Sequence, residues 1–205
     1  MSAALSTWLS IASGKTPRGT QRALDELLAE HELSRLVMTV MDREAQRIAD
    51  HRDFRPEIWA RIVAFLGDFV HLCHRRKEDA VLLPALGPRL SAALEPVRRD
   101  HAAAELLTTE LCDAVGEADW ERVLRLSVTY AKRMRAHMRL EEGSELFAAT
   151  ARLPLGQDLV VRAGFQKVES EALGLRGRRA VLENLEALFA ATGSSSMASV
   201  DQTAT

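Results

Sequence analysis

The segment CHRRKE, residues 73–78, sets His74 and Glu78 four positions apart, and AHMRLEE, residues 136–142, repeats that spacing with His137 and Glu141. Residues four apart lie one turn from each other on the same face of an α-helix. Both histidines continue an apolar stripe of helical period: His74 follows Val63 and Val70, and His137 follows Tyr130 and Met134. Two rods that point imidazole and carboxylate groups into their own apolar faces predict a helical bundle with a polar centre.

The same reading extends to two further helices. His31 is in phase with Leu24, Leu27 and Met38, and His101 with Val97 and Ala104. The long helices are expected from Thr20 to about Asp50, Pro56 to about Leu83, Glu95 or Pro96 to Val115, and from an Asp119 cap to Gly143. Shorter helical patterns follow, from Gln157 to Leu173 and from Arg178 to Ala191. The expected fold is all-α: an antiparallel up-down four-helix bundle with a C-terminal helical extension. Residues 1–19 read as an irregular lead-in, 20–150 as the bundle, 151–192 as the extension and 193–205 as a disordered tail.

Composition agrees with helices and excludes several function classes. Hydrophobic residues make up 47% of the 205 and aromatics only 5%. The net charge of −2 gives no basic footprint for nucleic acid. No apolar run approaches the ~20 residues that span a membrane. The N-terminus lacks the basic region of a signal peptide, so a cytoplasmic location is the expectation. Cys73 and Cys112 match neither a zinc finger nor a redox pair and read as two small buried hydrophobes.

Of six histidines, His31, His74, His101 and His137 fall one per long helix on its apolar face. Each brings ring nitrogens that need partners. Glu78, Glu141 and Glu105 follow three of them at i+4. An unpaired carboxylate in a core costs several kcal/mol, and a bound cation removes that cost. Mixed imidazole and carboxylate ligands suit iron or manganese better than calcium, and zinc accepts the same groups. Several carboxylates can bridge two ions, so the set reads as a two-metal site. No histidine has a glutamate three residues before it, which argues against the ferritin-like di-iron pattern. His71 reads as a pocket-edge or surface residue, His51 as solvated, Tyr130 as core, and Arg75 to Lys77 as the wet face of the second helix.

Taken together, LLAEH ending at His31, CHRRKE followed by LLP, RRDH ending at His101, and AHMRLEEGSELF resemble the hemerythrin-like, or HHE cation-binding, family. The resemblance covers about residues 20 to 150. It implies two non-haem iron ions, oxo- or hydroxo-bridged, with His31, His74, His101 and His137 as terminal ligands and Glu78 and Glu141 as bridges. Oxygen carriers of that family have a second histidine one turn after the third-helix histidine. Here that place holds Glu105, itself a candidate ligand. On octahedral geometry, about ten of about twelve coordination positions are filled, leaving about two for Glu105, water or a small ligand. The implied function is binding of, and reaction with, dioxygen, nitric oxide or peroxide. The alternatives are an iron- or oxygen-responsive sensor and a protein of the iron–sulfur cluster repair type. Whether the chain is a di-iron oxidoreductase stays open at this point. The expected partners are a diatomic or peroxide ligand, and a protein or a second copy through the C-terminal helices, with neither nucleic acid nor membrane.

Overall fold

A computed structural model describes residues 22–87, 90 and 94–193. The expected lead-in at 1–19, the Thr20 cap and the tail beyond 193 lie outside these residues. Every regular element among the described residues is helical.

Helix α1 is Ala23–His51, α3 is Glu95–Gly116 and α4 is Trp120–Glu142. Between α1 and α3, α2 runs over residues 56–85 as one rod of changing winding. Pro56–Ala64 is α-helical, Phe65–His74 a π-helix, Arg75–Lys77 α-helical, Glu78–Leu82 π again, and Leu83–Ala85 α. Pro56 fits the first turn, where its missing N–H has no helical partner to lose. The π windings make i→i+5 bonds, such as Arg75 N–H to the Val70 carbonyl. His74 ends the first π segment and Glu78 begins the second.

Asp119 caps α4 by accepting from the Arg122 N–H at 3.0 Å. The start of α1 is capped from far along the chain: buried Asp158 accepts from Ala23 N–H and from Arg22 Nε, both at 3.1 Å. Arg52, at φ 53°, ends α1 in the left-handed region without a glycine. Packing runs around a ring: α4 against α1 and α3, and α3 against α2.

Three helices follow the bundle: α5, Glu145–Ala151; α6, Leu155–Leu173; and α7, Gly177–Ala191. The sequence reading did not separate α5, a seven-residue helix capped by Ser144. Helices α6 and α7 lie along α2. Gly164 permits the close approach, since a Cβ there would stand 2.5 Å from Val81 Cγ1. Val181, Leu185 and Leu188 of α7 join the apolar cluster that holds Leu33, Met38, Phe69 and Tyr130. Val161 and Phe165 of α6 join a second cluster with Leu27, Leu82, Val97 and Leu146. The extension is therefore built into the core. Helices α1 and α2 contribute residues to both clusters, α3 joins the first through Ala104 and the second through Val97, and α4 lies in the first, with Leu146 and Phe147 of α5 in the second. Cys73 is buried, and burial pushes its thiol up to about 12. Cys112 is exposed, because it falls off the α3 stripe of Ala104, Thr108, Leu111 and Ala114, which corrects its reading as a buried residue.

Candidate metal centre

One layer of the bundle collects His31 from α1, His74 and Glu78 from α2, His101 from α3, and His137 and Glu141 from α4. All six are at least 95% buried. Glu141 sits between three rings. Its Oε2 is 3.2 Å from His31 Nε2, and its Oε1 is 3.0 Å from His137 Nε2 and 3.5 Å from His101 Nε2. Glu78 mirrors it, with Oε2 3.2 Å from His101 Nε2 and Oε1 3.8 Å from His74 Nε2. The rings come in pairs. His31 and His74 have centroids 5.0 Å apart, and His101 and His137 4.7 Å apart.

These groups form two cation-sized clusters. One joins Glu78, His101, His137 and Glu141; the other joins His31, His74 and Glu78, with ligand atoms in each within 4.8 Å of one another. Glu78 belongs to both. The atoms turned inward lack hydrogen-bond partners: both oxygens of Glu78, both of Glu141, and Nε2 of His31 and His101. Close approach without alignment for hydrogen bonding, at fully buried carboxylates, is what a set of metal ligands requires and what a polar core held by its own hydrogen bonds avoids. The mixed imidazole and carboxylate donor set fits divalent or trivalent transition-metal cations.

The outward nitrogens are treated differently. His31 Nδ1 is 2.8 Å from Glu142 Oε1, His74 Nδ1 is 2.8 Å from Glu30 Oε2, and His101 Nδ1 is 3.2 Å from Asp79 Oδ1. Each of these carboxylates meets a cation in turn: Glu142 meets Arg35, Glu30 meets Lys77, and Asp79 meets Arg75. A carboxylate that accepts a hydrogen bond from Nδ1–H fixes the tautomer that presents Nε2 to a metal and raises its basicity. His137 is the exception. Its Nδ1 stands 4.0 Å from Asp100 Oδ2 and has no hydrogen bond. Phe147 stacks on His31 at 5.4 Å between centroids.

In the metal-free chain these contacts govern ionisation. Burial works to lower the His31 pKa, but Glu141 and Glu142 outweigh it and hold the ring up at about 9. Burial likewise opposes a charge on His101, yet Asp79, Glu141 and Glu78 raise it to about 11. Desolvation would raise the Glu141 carboxyl; the three histidines around it draw it well below the usual carboxylate range.

Several expectations need correction. Glu105 does not reach either cluster. Its side chain is 56% exposed and pairs with Arg75. After His101 the buried stripe of α3 continues at Ala104 and Thr108, so i+4 points outward. His71 is not at the surface: it is buried, with Nε2 2.7 Å from Thr108 Oγ1, and desolvation lowers it to about 4. Lys77 is not on a wet face but fully buried, with its Nζ bonded to Glu26 and Glu30. Arg76 is exposed and His51 is exposed, as read. The residues that sequence reasoning missed are Glu30, Glu142 and Asp79. The available signal was Glu26 and Glu30, two carboxylates one turn apart on the helix that carries His31.

No helix among the described residues is long and apolar enough to cross a membrane. Comparison with characterised proteins and with solved structures returned no match to an individual relative. The sequence profile of the hemerythrin HHE cation binding domain, by contrast, matches residues 22–149, the stretch that holds α1 to α4 and every histidine of the two clusters. The chain therefore belongs to the hemerythrin HHE cation-binding domain family.

Proposed function

We propose that this chain is a non-haem di-iron protein that binds and reacts with a small oxidant: dioxygen, nitric oxide or peroxide. The observation that carries this reading is the doubled donor set. Glu78 belongs to both imidazole pairs, Glu141 joins His101 and His137 and also approaches His31, and the inward oxygens of both carboxylates lack hydrogen bonds. His31 and His74 would hold one ion, His101 and His137 the other, with the two glutamates between them. Iron, when bound, would supply redox equivalents and open coordination positions for the oxidant.

The protein's own contribution is orientation and exclusion of water. The Nδ1 hydrogen bonds to Glu142, Glu30 and Asp79 hold three imidazoles with Nε2 facing inward. Apolar residues lie on both sides of the layer, with Leu27, Leu82 and Leu146 in one cluster and Leu33, Met38 and Met134 in the other. With Glu105 turned to solvent, no further carboxylate from α3 completes the coordination. That favours exchange and reaction over reversible carriage.

An anaerobically reduced sample should hold two irons per chain and change its visible absorption on exposure to one of the three oxidants. A chain that stays colourless and inert after reconstitution with ferrous iron contradicts the proposal.

A further inference from the structure

Outside the ligand set, the densest group of buried charges surrounds Lys77. Its ammonium is fully buried and bonds to Glu26 Oε1 at 2.6 Å, to Glu30 Oε1, and to Glu169 Oε2 at 3.3 Å. Arg178 closes the group. Its Nε donates to both oxygens of Glu169 at 2.6 and 2.7 Å, and its Nη2 donates to Glu26 Oε1 at 2.9 Å. The ring of Phe165 faces the ammonium at 5.7 Å. Glu169 and Phe165 belong to α6 and Arg178 to α7. Both helices lie beyond the residues matched by the family profile.

Glu30 joins this group to the metal layer. One of its oxygens takes Lys77 and the other stands 2.8 Å from His74 Nδ1. The path from the extension to a proposed ligand is therefore short: Arg178, Glu169, Lys77, Glu30, His74. Among the described residues, Glu26, Glu30 and Glu169 face Lys77 and Arg178, an excess of carboxylates over cations beside His74. A cation at His74 Nε2 compensates that excess, and the low dielectric of the site strengthens the effect. Among the described residues, the other imidazole pair has no such link. Asp79 and Asp100, beside His101 and His137, pair with Arg75 and Arg133 of the bundle itself.

We infer that Lys77 and Arg178 couple docking of α6 and α7 to the metal position at His31 and His74, so that the ion and the extension stabilise each other. This rests on the two-ion reading above. Lys77, Glu169 and Arg178 are positioning residues, acting through Glu30 on His74. Coupling of this kind is reciprocal. Loss of the ion loosens α6 and α7, and loosening α6 and α7 weakens one ion and not the other. The C-terminal pair is thereby the part of the molecule that reports occupancy of one position.

The test uses the full chain with ferrous iron under nitrogen. Amide exchange across residues 155–191 should slow about tenfold or more when iron is bound. In Glu169→Gln and Arg178→Lys, one of the two ions should leave to a chelator about tenfold faster, the size expected for loss of an outer partner of a ligand. The other ion should keep the wild-type rate. Arg179→Ala is the control. It removes an exposed ion pair with Glu183 within α7, which is not a docking contact of the extension, and should leave both release rates unchanged. Exchange across 155–191 that ignores iron overturns the coupling, as do release rates in the Glu169 and Arg178 variants that are both wild-type or both equally faster. A wild-type chain that binds no iron overturns the coupling together with the proposed function, whereas two bound ions without these responses overturn the coupling alone.

Discussion

His101 stands between the two inward carboxylates, with Nε2 3.2 Å from Glu78 Oε2 and 3.5 Å from Glu141 Oε1. One imidazole near two carboxylates of different helices means that neither glutamate serves a single histidine. Both carboxylates are shared, and removing either affects histidines on more than one helix.

Glu141→Gln should therefore cost metal at both positions, with the iron content falling from two per chain to fewer than one. Wild-type protein should gain about 2.7 kcal/mol of stability for each bound ion at a free metal concentration one hundred times that site's Kd. The variant should lose that increment. Chemical unfolding with and without ferrous iron measures both.

Glu105→Ala should leave metal content unchanged. Its carboxylate pairs with Arg75 at the surface, and such pairs contribute about 0–1 kcal/mol. A drop in bound iron, measured by elemental analysis, would place Glu105 back among the ligands.

The metal-free chain should lose stability as the solution becomes basic. His31 and His101 are raised to about 9 and about 11 in the folded state, above the ordinary 6.5. Their contribution is complete below about pH 6.5 and falls as pH rises through 9 toward 11. Metal affinity should move the other way over the same window, because binding expels those protons. At the acid side the sign reverses. His71, lowered to about 4, contributes stability above 6.5 that is lost as pH falls toward 4. Thermal melting of metal-free protein from pH 4 to pH 10 tests both limbs.

Lys77→Met should destabilise the chain by about 3–5 kcal/mol, since it leaves Glu30 buried without its cation and Glu26 with Arg178 alone. Gly164→Ala should cost about 1–3 kcal/mol by pressing on Val81, whose branched side chain has no long stem to bend away. Urea midpoints of the two variants give these values.

Much of the fold was legible because α1, α3 and α4 keep a plain helical period, with caps such as Asp119 where the sequence places them. The inward placement of the six side chains was legible for the same reason: each lies on its stripe, and Glu78 and Glu141 follow by four. The error at Glu105 shows the limit of that spacing. On α4 the buried face runs from His137 through Met138 to Glu141, whereas on α3 it steps from His101 to Ala104, and i+4 turns away. The π windings of α2 left no mark in composition. The outer carboxylates were hidden by distance along the chain, since Glu30 meets Lys77 47 residues later and Glu169 meets Lys77 from 92 residues away.

The most direct measurement is anomalous X-ray diffraction at the iron edge from crystals grown with ferrous iron. The account predicts two peaks about 3.5–4 Å apart, one facing His31 and His74, the other facing His101 and His137, with Glu78 and Glu141 touching both. A layer without anomalous density, or a single peak away from these six side chains, would contradict it.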